Sequence, residues 1–188
     1  QLRRAMLDLE RSREKIVAQN EELTVLATRD PLTGCANRRA FFDVGGRLFG
    51  DRLRSNGDVC CIMADIDHFK KFNDVYGHAV GDQVIQVVAR TLQRNTRTGD
   101  VLCRYGGEEF CILLPDADAE QAREIAERMR AAIESSAVEG VRSTRVDRIT
   151  SSFGVASVDY GAMRLEELIE QADNALYQSK ENGRNQVT

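Results

Sequence analysis

The chain has 188 residues, enough for one well-buried domain and an appendage, and its 42% hydrophobic and 30% charged residues exclude a disordered or fibrous polymer. A net charge of −4 excludes a general nucleic-acid-binding surface, so any phosphate site must be local. No apolar run approaches the roughly 18 residues of a membrane span, and five cysteines (Cys35, Cys60, Cys61, Cys103, Cys111) without C-x-x-C spacing suggest neither zinc nor a disulfide framework. A reducing cytoplasm is the expected setting. The start resembles neither a signal peptide nor an initiator methionine, so the chain is expected to be a piece of a longer protein.

Leu2, Leu9, Ile16 and Leu23 recur every seven residues, with Met6 and Ala27 on the adjoining seam. This spacing predicts a helical stalk over residues 1–28 that pairs with a second copy as a parallel coiled coil; Arg13 and Asn20 on the seam lower its stability but fix register and strand number. The alternative is a single amphipathic helix lying on its own domain. Pro31 disfavours helix at the residue before it and Gly34 punctuates the next turn, so the stalk should stop near Arg29 and Asp30, and a second unit is expected over 29–188.

Residues 37–54 read as a helix through Phe41, Phe42, Val44 and Leu48. Val59 to Ala64 is a short, continuous apolar run, the pattern of a strand buried on both faces, and it ends in D-I-D. Val84, Ile85, Val87, Val88 and Leu92 lie at helical spacing over 82–92. Val101 to Tyr105 and Phe110 to Leu114 then flank Gly106-Gly107-Glu108-Glu109 as a hairpin, closed by Pro115. A helix over 119–133, one or two strands over 145–158 with Gly154 at a bulge or bend, and a helix over 165–179 complete the pattern. This order predicts an α+β fold, a mixed and largely antiparallel sheet flanked by helices and preceded by a long N-terminal helix. Neither G-x-x-x-x-G-K-[ST] nor G-x-G-x-x-G occurs.

Asp65 and Asp67 fall on one side of the predicted strand, by its period of two, and Glu108 and Glu109 occupy the hairpin turn. If the two elements are neighbours, carboxylates that close require a cation, and oxygen ligands without histidine or thiolate select magnesium or manganese. A pair of such ions suits in-line displacement at phosphorus. Acidic residues at hairpin tips are commonly only solvated, but Gly106-Gly107 permits close approach of a phosphate or base to the backbone. Asn73 and Asp82 form a sensible guanine reader, since a carboxylate accepts from the N1–H and exocyclic amine that adenine does not present together. Asp82 alternatively caps a helix starting at Gln83. Lys70, Lys180 and Arg184 are placed to meet phosphate oxygens, with helix-dipole complementation the alternative for the last two. His68 and His78 lack metal-pair spacing and read as structural, and Phe69, Phe72 and Tyr76 as core. Arg97 and Asp100 set a bidentate fork beside a carboxylate, as an anion site or as a surface ion pair.

Together these residues resemble the GGDEF family of diguanylate cyclases, whose signature stands here as G-G-E-E-F at Gly106 to Phe110. The resemblance extends through DPLTGCANRR (30–39), ADIDHFKKFND (64–74), YGHAVGD (76–82), RTGD (97–100), RYGGEEF (104–110) and ADNALYQSKENGRN (172–185), and thus covers residues 29–188. It implies condensation of two GTP into cyclic di-GMP with release of two pyrophosphates, on a fold similar to nucleotidyl cyclases and polymerase palms, with Mg2+ or Mn2+, two per active site, as cofactor. It implies metal ligation by Asp65, the backbone of Ile66 and Glu108, with Glu109 at the metal or phosphate edge and Glu108 helping to deprotonate the 3′-hydroxyl. Guanine contacts are implied for Asn73 and Asp82, and phosphate contacts for the backbone at His68 and Phe69 together with Lys70, Lys180 and Arg184. Arg97 and Asp100 match the family's RxxD product-inhibition site, with Arg128 a secondary product contact. Cys35 departs from the family's usual leucine, which implies looser packing at the stalk junction. The two-fold symmetric product implies a homodimer through the stalk, acting in the cytoplasm, under an upstream sensor or receiver domain of a parent protein that is soluble or membrane-associated. No nucleic acid and no membrane is implied for this fragment. A non-catalytic receptor of GTP or cyclic di-GMP, and a mononucleotide cyclase, are the competing readings.

Overall fold

The computed structural model describes residues 2–136 and 149–188. Helix α1 (Leu2–Thr28) leads into strand β1 (Ala36–Asn37), α2 (Arg38–Arg54), β2 (Val59–Ile66), α3 (Phe69–Tyr76), α4 (His78–Asn95), β3 (Val101–Arg104), β4 (Glu109–Pro115), α5 (Ala119–Glu134), β5 (Ser151–Ser157) and α6 (Leu165–Glu181). The sheet order is β1-β3-β4-β2-β5, antiparallel except for the β1–β3 edge. The C-terminal residues cover the β5 edge: Phe153 N–H donates to Gln186 O (2.9 Å) and Val155 N–H to Thr188 O (2.8 Å).

All eight residues of β2 are buried because helices cover both faces of the sheet. Cys60, Ile62, Ala64 and Ile66 pack towards α4 and α5, and Val59, Cys61 and Met63 towards α2 and α6. Each large aliphatic side chain closed off in these two layers stabilises the fold by about 1.5–3 kcal/mol. Local signals set the ends of the helices. Asn37 Oδ1 accepts from Ala40 N–H (2.9 Å) to start α2, and Asp118 and Gln121 form a reciprocal capping box on α5.

The mixed sheet, its hairpin, the long first helix and the two C-terminal helices agree with the sequence reading. Three features depart from it. The segment 69–76, to which the sequence reading assigned no element, is helix α3, amphipathic over only two turns, with Phe69 buried and Phe72 packed on the core. Helix α4 begins at His78, four residues before the predicted start, with Gly77 as its N-cap. Gly154 lies in unbroken register opposite Met63, so there is no bulge. The glycine is needed because α6 crosses it: a Cβ there would lie 2.7 Å from Leu176 Cα and closer still to Leu176 N and Ala172 O. The part of the expected 145–158 strand region before residue 149 lies outside the described residues.

Along α1, Arg3, Met6 and residues 9–20 and 22–27 are exposed, Leu9, Ile16 and Leu23 among them, so the helix does not lie on its own domain. Asn37 Nδ2 ties the helix end by donating to Ala27 O (2.9 Å). Among the described residues no helix is long and apolar enough to cross a membrane. Cys35 is buried in the α4–α5 layer with its Sγ 3.4 Å from Gln93 Nε2, so this position is filled and bonded.

All five cysteines are free and buried, and burial pushes the Cys60 thiol up to about 11. A thiolate is the reactive form, so the native chain is expected to show no thiol reaction with a colorimetric disulfide reagent at pH 8 over minutes, and five thiols once unfolded. Even one fast-reacting native thiol would contradict this packing.

Candidate active site

The end of β2 and the tip of the β3–β4 hairpin form one edge of the sheet, because Asp65 stands directly opposite Glu109. Alternation along β2 carries Asp65 to the α6 side, where Lys180 Nζ lies 2.9 Å from Asp65 Oδ2. Asp65 is 8% exposed. Burial raises its pKa, the Lys180 ammonium opposes this, and the charges of Glu109 and Asp67 reinforce it. Glu108 is raised by burial first and by the charge of Asp65 second. These two acids are therefore poised for a cation that would favour both charged forms.

A cleft of about 370 Å³ opens at this edge, lined by Asp65, Glu108, the His68–Lys70 segment, Lys180 and Arg184. His68 is the left-handed N-cap of α3 (φ 56°) and makes no side-chain cap bond, and it lines the cleft together with Phe69. Among the described residues no three His, Cys, Asp or Glu side chains converge to hold an ion by themselves. Asp65, Ile66 and Glu108 line the cleft, and two carboxylates with a backbone carbonyl would make a hard all-oxygen donor set. It fits Mg2+ or Mn2+, which complete their shells with phosphate oxygens and water.

The tip is fastened by backbone and side chain together. Tyr105 N–H and Gly106 N–H both donate to Glu109 O (2.8 and 3.2 Å), and Ile66 N–H donates to Glu108 O (3.3 Å). A Cβ at Gly106 would overlap Glu109 Oε2, so the carboxylate folds over a space only glycine leaves. Arg104 holds the far side: Nε and Nη2 donate to Gly107 O (3.0 and 2.7 Å), while Nη1 donates to both carboxylate oxygens of Asp30 (3.3 and 3.2 Å). Burial would raise the Asp30 carboxyl, but bonds from Thr33 N–H and Oγ1–H and the Arg104 guanidinium outweigh it and lower its pKa.

A lowered folded-state pKa means that Asp30 contributes stability above the unfolded carboxylate value of about 3.9, and that this is lost as pH falls through the folded value. Asp30→Asn is expected to cost about 1–2 kcal/mol in urea unfolding at pH 7, with the difference between parent and variant shrinking as pH falls through the folded-state value. A difference independent of pH would contradict this assignment.

Asn73 and Asp82 stand at the α3–α4 junction and do not line the cleft. Asn73 Oδ1 is buried without a partner, and it lies against Gly81, where a Cβ would sit 2.9 Å from Asn73 Cγ. Asp82 follows at once, exposed and inside α4, so it does not cap that helix. Asp67, which the alternation places on the same side as Asp65, accepts from Thr150 Oγ1–H (2.8 Å), Ser152 Oγ–H (2.7 Å) and Asn185 N–H (3.1 Å).

Arg97 and Asp100 lie at the opposite end of the sheet, about 20 Å from the hairpin tip by the rise of the seven-residue β4. Asp100 accepts from Arg97 N–H (2.8 Å) and Nε–H (3.2 Å), and Arg97 Nη2 donates to Pro115 O (2.6 Å). Arg128 Nε donates to Asn95 Oδ1 (3.2 Å) at the end of α4, just before Arg97.

Residues 27–186 match the family model for the diguanylate cyclase GGDEF domain. The chain belongs to the GGDEF family. This GGDEF domain is 42% identical to diguanylate cyclase VdcA of Vibrio cholerae over 188 residues, which is 100% of this chain and 53% of that protein. It is similar to the structure of the coiled coil and GGDEF domain of DgcB from Caulobacter crescentus in complex with c-di-GMP, with TM-score 0.89 and 36% identity, covering 100% of this chain and 98% of that one. It also resembles the active GGEEF domain of a diguanylate cyclase from Vibrio cholerae, with TM-score 0.75 and 32% identity over 81% of this chain and 95% of that one. The chain spans between about a third and a half of the curated relatives it matches (35%, 53% and 47%).

Reading the sequence of this GGDEF domain missed Arg104, Thr150, Ser152 and Asn185 as parts of the site's support. Their partners lie 74, 83, 85 and 118 residues away. Arg104, inside R-Y-G-G-E-E-F, and Asn185, the last residue of ADNALYQSKENGRN, carried local signals; Thr150 and Ser152 carried none.

Proposed function

We propose that this chain is the catalytic portion of a diguanylate cyclase, which condenses two GTP into cyclic di-GMP and releases two pyrophosphates. The observation that carries this reading is the meeting of Asp65 and Glu108 with Lys180 and Arg184 in one cleft. Asp65, the Ile66 carbonyl and Glu108 hold Mg2+ or Mn2+, two ions per site, and Glu109 stands at the metal or phosphate edge. Bound metal supplies charge neutralisation on the phosphates and acidifies the attacking hydroxyl. The 3′-oxygen of one GTP attacks the α-phosphorus of the other, the bond from that phosphorus to pyrophosphate breaks, and the hydroxyl proton leaves through Glu108. Repetition in the opposite sense closes the ring. The His68–Phe69 backbone, Lys70, Lys180 and Arg184 bind the phosphates, and Lys180 turns from Asp65 towards the leaving pyrophosphate.

The buried, unpartnered Asn73 Oδ1 supports a base-reading role, since an orphaned acceptor of that kind calls for a donor. With Asp82 it takes the N1–H and amine edge of guanine. The stalk over 1–28 carries the homodimer and the domain over 29–188 the chemistry, because each protomer presents one GTP to a two-fold product. The exposed seam of Met6, Leu9, Ile16 and Leu23 supports this division. Arg97 and Asp100, with Arg128, bind product and inhibit turnover. An upstream sensor or receiver domain sets stalk register, and the work is cytoplasmic.

The test is incubation of the purified chain with GTP and magnesium and chromatography of the products. Cyclic di-GMP upholds the reading. A mononucleotide product, or binding without turnover at concentrations where the chain is dimeric, overturns it.

A further inference from the structure

Asp67 is 9% exposed, and its three hydrogen bonds come from Thr150, Ser152 and the backbone of Asn185. A buried carboxylate supplied by three donors is already satisfied as an acceptor, which separates its chemistry from that of Asp65 two residues earlier. The Asn185 bond has a particular consequence. Gly183, Arg184 and Asn185 are three consecutive residues with positive φ (113°, 65° and 47°). Arginine does not adopt the left-handed region without outside support, so the turn that aims Arg184 depends on its anchors.

Those anchors can be named. Arg184 N–H donates to Ser179 O (3.0 Å), and Arg184 Nη1 donates to Lys180 O (3.2 Å). Asn185 is gripped twice from outside the turn, at its N–H by Asp67 Oδ2 (3.1 Å) and at its side-chain Oδ1 by Arg130 Nη1 (2.9 Å). Arg130 is itself fixed on α5 by Glu127 and Glu134.

We propose that Asp67 and Arg130 are positioning residues, which clamp Asn185 between β2 and α5 and so hold Arg184 and the end of α6 in place to bind the pyrophosphate moiety of the substrate. This deepens the cyclase reading and rests on it for the identity of the substrate, but not for the binding of pyrophosphate. Asp67 acts through acceptor geometry. The amide of Asp67→Asn keeps an oxygen for Asn185 N–H and turns its NH2 towards Ser152 Oγ, which can accept instead of donate.

The experiment is calorimetric titration of pyrophosphate with magnesium into the full chain and its variants. Asp67→Ala is expected to weaken binding by about tenfold or more, and Asp67→Asn to stay within about threefold of the parent. Arg130→Gln and Asn185→Gly, the latter keeping the left-handed backbone, are expected to weaken binding by about three- to fivefold each. Together they should be no worse than either alone, since both remove one contact. With GTP, Asp67→Ala should raise KM by a similar factor while kcat changes less than about threefold.

Asp67→Asn as damaging as Asp67→Ala would overturn the proposal, because charge and not geometry would then be the requirement. So would unchanged pyrophosphate binding in Asp67→Ala. If Asp67→Ala does not fold, unchanged binding in both Arg130→Gln and Asn185→Gly overturns it, and the non-additive loss upholds it. A parent chain that binds pyrophosphate in this Asp67-dependent way but makes no dinucleotide from GTP would sink the cyclase reading and leave the clamp standing.

Discussion

Gly154→Ala is expected to lower the free energy of unfolding by about 3 kcal/mol or more, the upper range for overpacking, because the atoms in the way are backbone. Ala172 O, Leu176 N and Leu176 Cα all lie inside contact distance of the added methyl, and none can rotate aside. Helix α6 would have to lift off β5, taking Leu168, Ala172 and Leu176 out of the layer they share with β2. Gly46→Ala supplies the contrast. Gly46 is exposed in the middle of α2 with nothing within 4 Å of the added atom, so alanine there should stabilise by about 0.5–1 kcal/mol. Urea unfolding of the two variants beside the parent checks both signs. A Gly154→Ala protein of parental stability would mean that α6 does not cross the sheet at this point.

Asp65→Asn is expected to abolish dinucleotide synthesis, by about a thousandfold or more, while the protein stays folded with stability equal to or above that of the parent. Burial raises the folded-state pKa of this carboxyl. A raised acid is most stabilising when protonated, and it becomes a burden as pH rises through the folded value, so at pH 7 the neutral amide removes that burden. The loss of the Lys180 partner offsets part of the gain. Product chromatography and a urea titration on the same preparation would check the pair of outcomes. Lost activity accompanied by a large drop in stability would point to Asp65 as a structural residue.

How far these features could be read in the sequence depends on the range of the interactions behind them. The β2 run, the hairpin, α5 and α6 were legible because each carries its own periodicity or cap, as Asp118 and Gln121 do for α5. Helix α3 was not, since two turns with one buried aromatic offer too short a period. The alternation along β2 placed Asp65 and Asp67 on one side, but it could not tell an acid facing a lysine from one caged by hydroxyls. That difference is made by β5 and the C-terminal turn, 83 to 118 residues further on. Gly154 reads as a bend when only its own strand is considered. Its reason is the helix that packs against it.

The guanidinium shared by Asp30 and Gly107 O bears on where such a domain can be cut for expression. A fragment started at Thr33 would retain β1 to β5 and α2 to α6, and by secondary structure it would look whole. It would lack the carboxylate that steadies Arg104, and with it one tether of the loop carrying Glu108. Truncation series that trim the leader helix should therefore stop before Arg29, since a shorter fragment can fold well and still report a misleadingly low turnover.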